Sequence, residues 1–177
     1  SGISVLEQGW GNKQDLINSL RHGHSSQGSQ SKSGAAAAAA AESGASGCVL
    51  VATASLWEGI DIAGDALQLV IIDKLPFHPP GDPVVEARSQ RLQAQGLSPF
   101  QHYSLPEAAV MLKQGAGRLI RTENDRGALV VCDVRLTQTR YGHRLVQSLP
   151  PMKKLGSEAE FLGYLQGLNQ NPSHSGL

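Results

Sequence analysis

Three short aliphatic runs set the limits on how this chain can fold. Cys48–Thr53, Leu67–Asp73 and Ala128–Asp133 are built almost wholly from Val, Leu, Ile and Ala, and Val70, Ile71 and Ile72 stand in series with no polar alternation. Strands that alternate have one face in water, whereas continuous apolar strands are covered on both faces. Helix-length stretches separate the runs. The pattern therefore predicts an α/β domain, a parallel sheet with helices on both faces.

The helices are marked by their ends. Residues Asn12 to Arg21 place Leu16, Ile17 and Leu20 on one face, and Gly23 stands beyond as a stop. Asp82 can cap a helix that begins at Pro83 and ends near Gly96. Ser104, Pro106 and Glu107 mark the start of another, which runs through Ala108, Val110 and Leu112. Asn124, Asp125 and Gly127 supply a turn before the third run. Near the end, Ser157 and Glu160 form a capping-box pattern ahead of Phe161, Leu162, Leu165 and Leu168.

The chain has 177 residues, enough for one domain with a real core, and its fifteen basic and fifteen acidic residues cancel. Any nucleic-acid contact must therefore be local. Residues 25–47 are almost only Ser, Gly, Gln, Lys and Ala, including seven alanines from Ala35 to Ala41, and read as a low-complexity disordered insertion. The organisation is thus an N-terminal part at 1–24, the insertion at 25–47, the main domain at 48–168 and a frayed tail at 169–177. His22 and His24, at the border of the insertion, read as solvent-exposed. The first residue is Ser rather than Met, which suits an excised or processed piece. Cys48 and Cys132 show neither a disulfide framework nor zinc-ligand spacing, and read as buried strand thiols of a reduced protein. No apolar run is long enough to span a membrane and no export pattern opens the chain, so a soluble, cytoplasmic protein without a membrane partner is expected.

Two polar segments carry candidate chemistry. In Leu112–Arg121, a helix would put Gln114, Arg118 and Arg121 on one face, and Leu112, Ala116, Leu119 and Ile120 on another. Two guanidinium groups at that spacing can converge on one phosphate-sized anion. Taken alone, the pair is better read as solvated charge on an ordinary amphipathic helix. The segment after the first run offers Thr53, Ser55, Glu58, Gly59 and Asp61, with Gly59 and Gly64 permitting close backbone approach. By itself this is also readable as a plain strand-to-helix connection, with Asp61 as a cap and Trp57 in the core. Ligands of open parallel sheets bind at the carboxyl ends of strands, and a shared nucleotide and phosphate site accounts for both segments at once.

Ser55-Leu-Trp-Glu-Gly-Ile-Asp61 resembles motif V, and Gln114-Gly-Ala-Gly-Arg-Leu-Ile-Arg121 resembles motif VI, of superfamily 2 helicases of the DinG/XPD type. Ile72-Asp-Lys-Leu-Pro-Phe77 and Asp125–Arg135 resemble the stretches that accompany those motifs. The resemblance covers about Val49 to Pro151, leans to the DinG and YoaA branch, and extends more weakly over Gly9 to Arg21. It implies the second RecA-like domain of an ATP-dependent 5′-to-3′ DNA helicase acting in DNA repair. Matched by position, Arg121 is the arginine finger on the γ-phosphate, with Arg118 beside it and Gln114 in support. Gly59 and Asp61 meet the nucleotide, Glu58 positions their loop, and Thr53 and Ser55 contact the backbone of single-stranded DNA.

The same resemblance assigns ATP and Mg2+ mainly to a first RecA-like domain in cis, since the chain has no phosphate loop and no acidic box. An iron–sulfur cluster, if the complete protein has one, belongs there too, because two cysteines cannot supply four ligands. The competing reading is a stand-alone nucleic-acid or protein adaptor that keeps helicase architecture without ATPase activity. Lys74, just past a strand, is read equally as a phosphate contact and as a solvent or inter-domain residue. His78, His102 and His143 are isolated, with surface or satisfied roles expected. Asp133 and Arg135 are expected either to pair or to support the arginine segment from the neighbouring strand, a structural role in both cases.

Overall fold

In this computed structural model the described residues are 3–9, 11–22, 47–57, 67–79, 81–120 and 125–170, and the chain divides into two compact units, 1–66 and 67–177.

The first unit is a strand–helix–strand motif. Strand β1 (Ile3–Glu7) and strand β2 (Gly47–Val51) pair in parallel, from Ile3 opposite Gly47 to Glu7 opposite Val51, with helix α1 (Lys13–His22) between them in sequence. Asn12 opens α1 by accepting the Asp15 N–H on its side-chain oxygen at 2.9 Å, which satisfies one of the amides a helix start leaves over. The apolar face is the predicted one, with Leu16, Ile17 and Leu20 buried. Strand β1 was not predicted. Of its five residues only Leu6 is buried, while Ile3 and Val5 face solvent, so no apolar run announces it. A 3-10 turn at Ala54–Trp57 follows β2.

The second unit holds another parallel pair, strands β3 (Leu69–Ile72) and β4 (Ala128–Val131), running from Leu69 opposite Ala128 to Ile72 opposite Val131. Helices α2 (Pro83–Ala94) and α3 (Leu105–Gly117) come between them in sequence. Helices α4 (Arg135–Gln138), α5 (Arg140–Ser148) and α6 (Glu158–Gln170) follow. Asp82 caps α2 as expected, its Oδ1 accepting from Val84 N at 2.8 Å and Val85 N at 3.2 Å, with Pro83 in the first turn. Ser104 does not cap α3. A π-helical turn at Phe100–Ser104 runs straight into that helix, so Ser104 is already helical and its side chain bonds no backbone amide there. The capping box is half realised. Ser157 Oγ accepts from Glu160 N at 3.2 Å, but Glu160 reaches back to Gly156 N at 2.8 Å. Helix α6 continues to Gln170, past the expected start of the tail, and 171–177 lie outside the described residues.

Ile72, Leu75, Leu105, Ala108, Leu112, Ala116, Leu119, Ala128 and Leu145 are the buried apolar residues around the β3–β4 pair and α3. Two glycines fix close approaches. A methyl group on Gly142 would fall 2.1 Å from the Leu136 carbonyl oxygen, so α5 can start directly against α4 only without a side chain there. A Cβ on Gly127 would meet Leu119 Cδ1 at 2.4 Å and Gln68 O at 3.0 Å. At the surface of the unit, Phe77, Phe100 and Tyr141 pack ring against ring at centroid separations of 5.1–6.0 Å.

The α/β class predicted from the aliphatic runs is the one observed: parallel strands flanked by helices, as in a RecA-like domain, although among the described residues each sheet has two strands. Val49, Val51 and Ile71 are exposed, Ile71 to 60%. Of the insertion at 25–47, only Gly47 is among the described residues, where it opens β2. His24 lies outside them. Cys48 is half-buried, whereas Cys132 sits one residue beyond β4 and is exposed, which corrects the expectation of two buried thiols.

Candidate functional site

The carboxyl end of β2 delivers Thr53 and Ser55, both exposed, into a closed hydrogen-bond arrangement with Gln8 from the end of β1. The Gln8 backbone N–H extends the ladder to the Val51 carbonyl at 2.9 Å, and Gly9 then turns the chain away at φ +110°, a conformation costly for any residue with a Cβ. Gln8 Oε1 accepts two bonds from Thr53, from its backbone N–H at 2.8 Å and from its hydroxyl at 2.9 Å. Thr53 and Ser55 hydroxyls lie 2.7 Å apart, and Gln8 Nε2 is 3.4 Å from Ser55 Oγ.

The donors can be assigned. The amide nitrogen of Thr53 is only a donor, so the oxygen of the Gln8 amide must face it and the Nε2 end must face Ser55. The Thr53 hydroxyl proton is directed at Oε1, which leaves Ser55 as the donor of the short hydroxyl–hydroxyl bond. The ring therefore runs Gln8 Nε2 to Ser55, Ser55 to Thr53, and Thr53 to Gln8 Oε1. Sequence reading found the two hydroxyls but missed Gln8. The only available signal was a polar residue next to a glycine after a weakly patterned strand.

In the second unit, Gln114 is exposed on α3 and Arg118 forms its half-buried C-cap. Leu112, Ala116 and Leu119 make the buried face, as the spacing predicted, and Ile120 is half-buried. The helix does not continue to Arg121. It ends at Gly117, where the N–H groups of Arg118 and Leu119 shift to the tighter i−3 carbonyls of Gly115 and Ala116 at 3.2 and 3.1 Å. Gly115 and Gly117 weaken the helix where it stops. Arg121, Glu58, Gly59 and Asp61 lie outside the described residues. Gln114 and Arg118 are one helical turn apart, while Thr53 and Ser55 belong to the first unit.

Beyond β4, Asp133 and Arg135 pair. The Asp133 side chain, 7% exposed, accepts from Leu75 N at 2.9 Å, Arg135 N at 3.0 Å and Arg135 Nε at 2.9 and 3.0 Å. The Arg135 guanidinium beside it, aided by the Leu75 and Arg135 amides, holds its carboxyl far below the usual carboxylate range. The same guanidinium lies 5.4 Å from the Phe77 ring centroid. Lys74 is exposed. His78 stacks on Tyr103 at 6.2 Å, His102 Nδ1 lies 3.1 Å from Ser98 O, and His143 is exposed. Among the described residues no three His, Cys, Asp or Glu side chains gather as a metal site, and no helix is long and apolar enough to cross a membrane. An open groove lined by Val110, Lys113 and Pro150 lies along the far end of α5 and holds none of the candidate residues.

Parallel strand pairs with helices between and after them in sequence define an α/β domain. Comparison with known proteins gives the family: the chain belongs to the helicase C-terminal domain family, whose model matches residues 3–152. It is 49% identical over 121 residues to the ATP-dependent DNA helicase YoaA of Escherichia coli, covering 68% of this chain and 19% of that protein. It is 45% identical over 102 residues to the ATP-dependent helicase DinG of Mycobacterium tuberculosis, covering 58% and 15%. Over 102 residues it is 39% identical to the 3′-5′ exonuclease DinG of Bacillus subtilis, covering 58% and 11%. The chain thus spans less than a fifth of the length of these curated relatives. It is a helicase C-terminal domain of the DinG/YoaA type.

Proposed function

We propose that this chain is the second motor domain of an ATP-dependent DNA helicase that moves 5′ to 3′ along single-stranded DNA in the cytoplasm and serves DNA repair. The observation that carries the reading is the end of α3, where a packed helix breaks at Gly115 and Gly117 and presents Gln114 and Arg118 immediately before Arg121.

In this reading ATP and Mg2+ are held mainly by a first RecA-like domain in cis, and the nucleotide supplies the phosphoryl group whose hydrolysis drives movement. The residues of this chain act on it from the other side. Arg121 reaches the γ-phosphate and Arg118 adds a second guanidinium, stabilising charge that develops in the transition state. Gln114 holds that end of the helix in place. Gly59 and Asp61 meet the nucleotide, and Glu58 positions their loop. Thr53 and Ser55 bind the sugar–phosphate backbone of the strand, so hydrolysis on one side is coupled to grip on the other.

The test is Arg121→Ala in the complete polypeptide. ATP turnover should be abolished, while the melting temperature and single-strand binding stay close to wild type. Undiminished ATPase activity would overturn the reading.

A further inference from the structure

We infer that Gln8 is a positioning residue for strand binding: its side-chain amide fixes Thr53 and orders the Ser55 hydroxyl so that the Ser55 proton can be redirected to a phosphate oxygen. The inference rests on the proposed contact of Thr53 and Ser55 with the DNA backbone.

In the ring, Gln8 Oε1 holds Thr53 through both its backbone N–H, at 2.8 Å, and its hydroxyl, at 2.9 Å. Two bonds to one acceptor fix that residue. Ser55 is held differently: it receives a long 3.4 Å contact from Nε2 and donates its own proton across 2.7 Å to Thr53. A phosphate oxygen only accepts, so it can engage either hydroxyl only by taking a proton already in use. Taking the Thr53 proton would break the bond to Oε1. Taking the Ser55 proton breaks only the hydroxyl–hydroxyl bond, and Thr53 stays locked to Gln8 through both of its donors. Ser55 is therefore the hydroxyl that turns outward. Gln8 itself is fixed by the β1–β2 ladder through its backbone N–H to Val51 O and by the turn at Gly9.

A double-mutant cycle in the complete polypeptide tests this, reading the concentration of a single-stranded oligonucleotide that half-saturates binding at fixed salt. Gln8→Met keeps the length and removes every side-chain bond. Gln8 is exposed, so the variant should fold, and a thermal melt checks that. Ser55→Ala removes the hydroxyl proposed to reach the phosphate. Each single variant should weaken binding by about 3- to 10-fold, the span of one ordinary hydrogen bond. The double variant should be no weaker than Ser55→Ala alone, because Gln8 acts through that hydroxyl. Losses that multiply would overturn the inference, as would wild-type binding by Gln8→Met when Ser55→Ala is impaired. Wild-type binding by both Ser55→Ala and Thr53→Ala would instead sink the strand-contact reading and the inference with it.

Discussion

The carboxylate of Asp133 accepts the main-chain N–H of Leu75 at 2.9 Å while gripping the guanidinium of Arg135. One side chain beyond β4 thereby holds the segment beyond β3. Asp133→Ala should lower stability by about 2–4 kcal/mol, since it strands a part-buried amide and removes charge-assisted bonds. Asp133→Asn, which keeps an acceptor, should cost less. Urea unfolding measures both.

The pH dependence of that clasp has a definite sign. The folded pKa of Asp133 lies below the unfolded value of about 3.9, so the stabilisation is complete above that value and falls away as pH drops through the folded one. The stability gap between wild type and Asp133→Ala should stay level from neutral pH to about pH 5. It should narrow only in stronger acid. A gap that closes near pH 6 would contradict the geometry.

Gly142→Ala places a methyl group 2.1 Å from the Leu136 carbonyl oxygen and 2.7 Å from that of Arg135. Main chain cannot swing aside as a side chain does. The variant should lose about 2 kcal/mol or more, whereas Gly163→Ala, where a Cβ meets nothing within 4 Å, should be neutral or slightly stabilising. Thermal melts of the two compare them directly.

The two thiols should react in a fixed order. Cys132 is exposed, while burial of Cys48 pushes its thiol pKa up and leaves less thiolate at neutral pH. Brief alkylation of the native protein followed by mass mapping should modify Cys132 first. Equal labelling would contradict the half-buried setting of β2.

Helix α2 has no buried residue, so its start depends heavily on the Asp82 cap. Asp82→Ala should cost about 1 kcal/mol. The loss should appear as faster amide hydrogen exchange across Pro83–Ala94, not as a collapse of the strands.

Much of this was legible in the sequence because it depends on local chemistry. Asp82 before Pro83, the Leu16–Ile17–Leu20 face and the aliphatic β3 and β4 each follow from a few neighbouring residues. What was missed depends on partners far along the chain. Strand β1 buries only Leu6, so its existence follows from pairing with β2 more than 40 residues later. The role of Gln8 likewise needs Thr53 beside it, and Ser104 failed as a cap because the turn before it is already helical. The arginine segment was read correctly on its packed side, through Leu112, Ala116 and Leu119. Its helical course to Arg121 was not borne out, because Gly115 and Gly117 end the helix first.

Strands β3 and β4 pair side by side although Leu69 and Ala128 are 59 residues apart in sequence. On a ribosome adding about 5–20 residues per second, β3 waits roughly 3–12 seconds before its partner has been made. During that interval Leu69–Ile72 is an aliphatic strand with unsatisfied edges, the kind of segment that recruits other chains. Helix α3 is complete before β4 emerges, whereas α5, the helix it packs on, is made only afterwards. Strand β3 and the apolar face of α3 thus both wait for partners that are made later in synthesis.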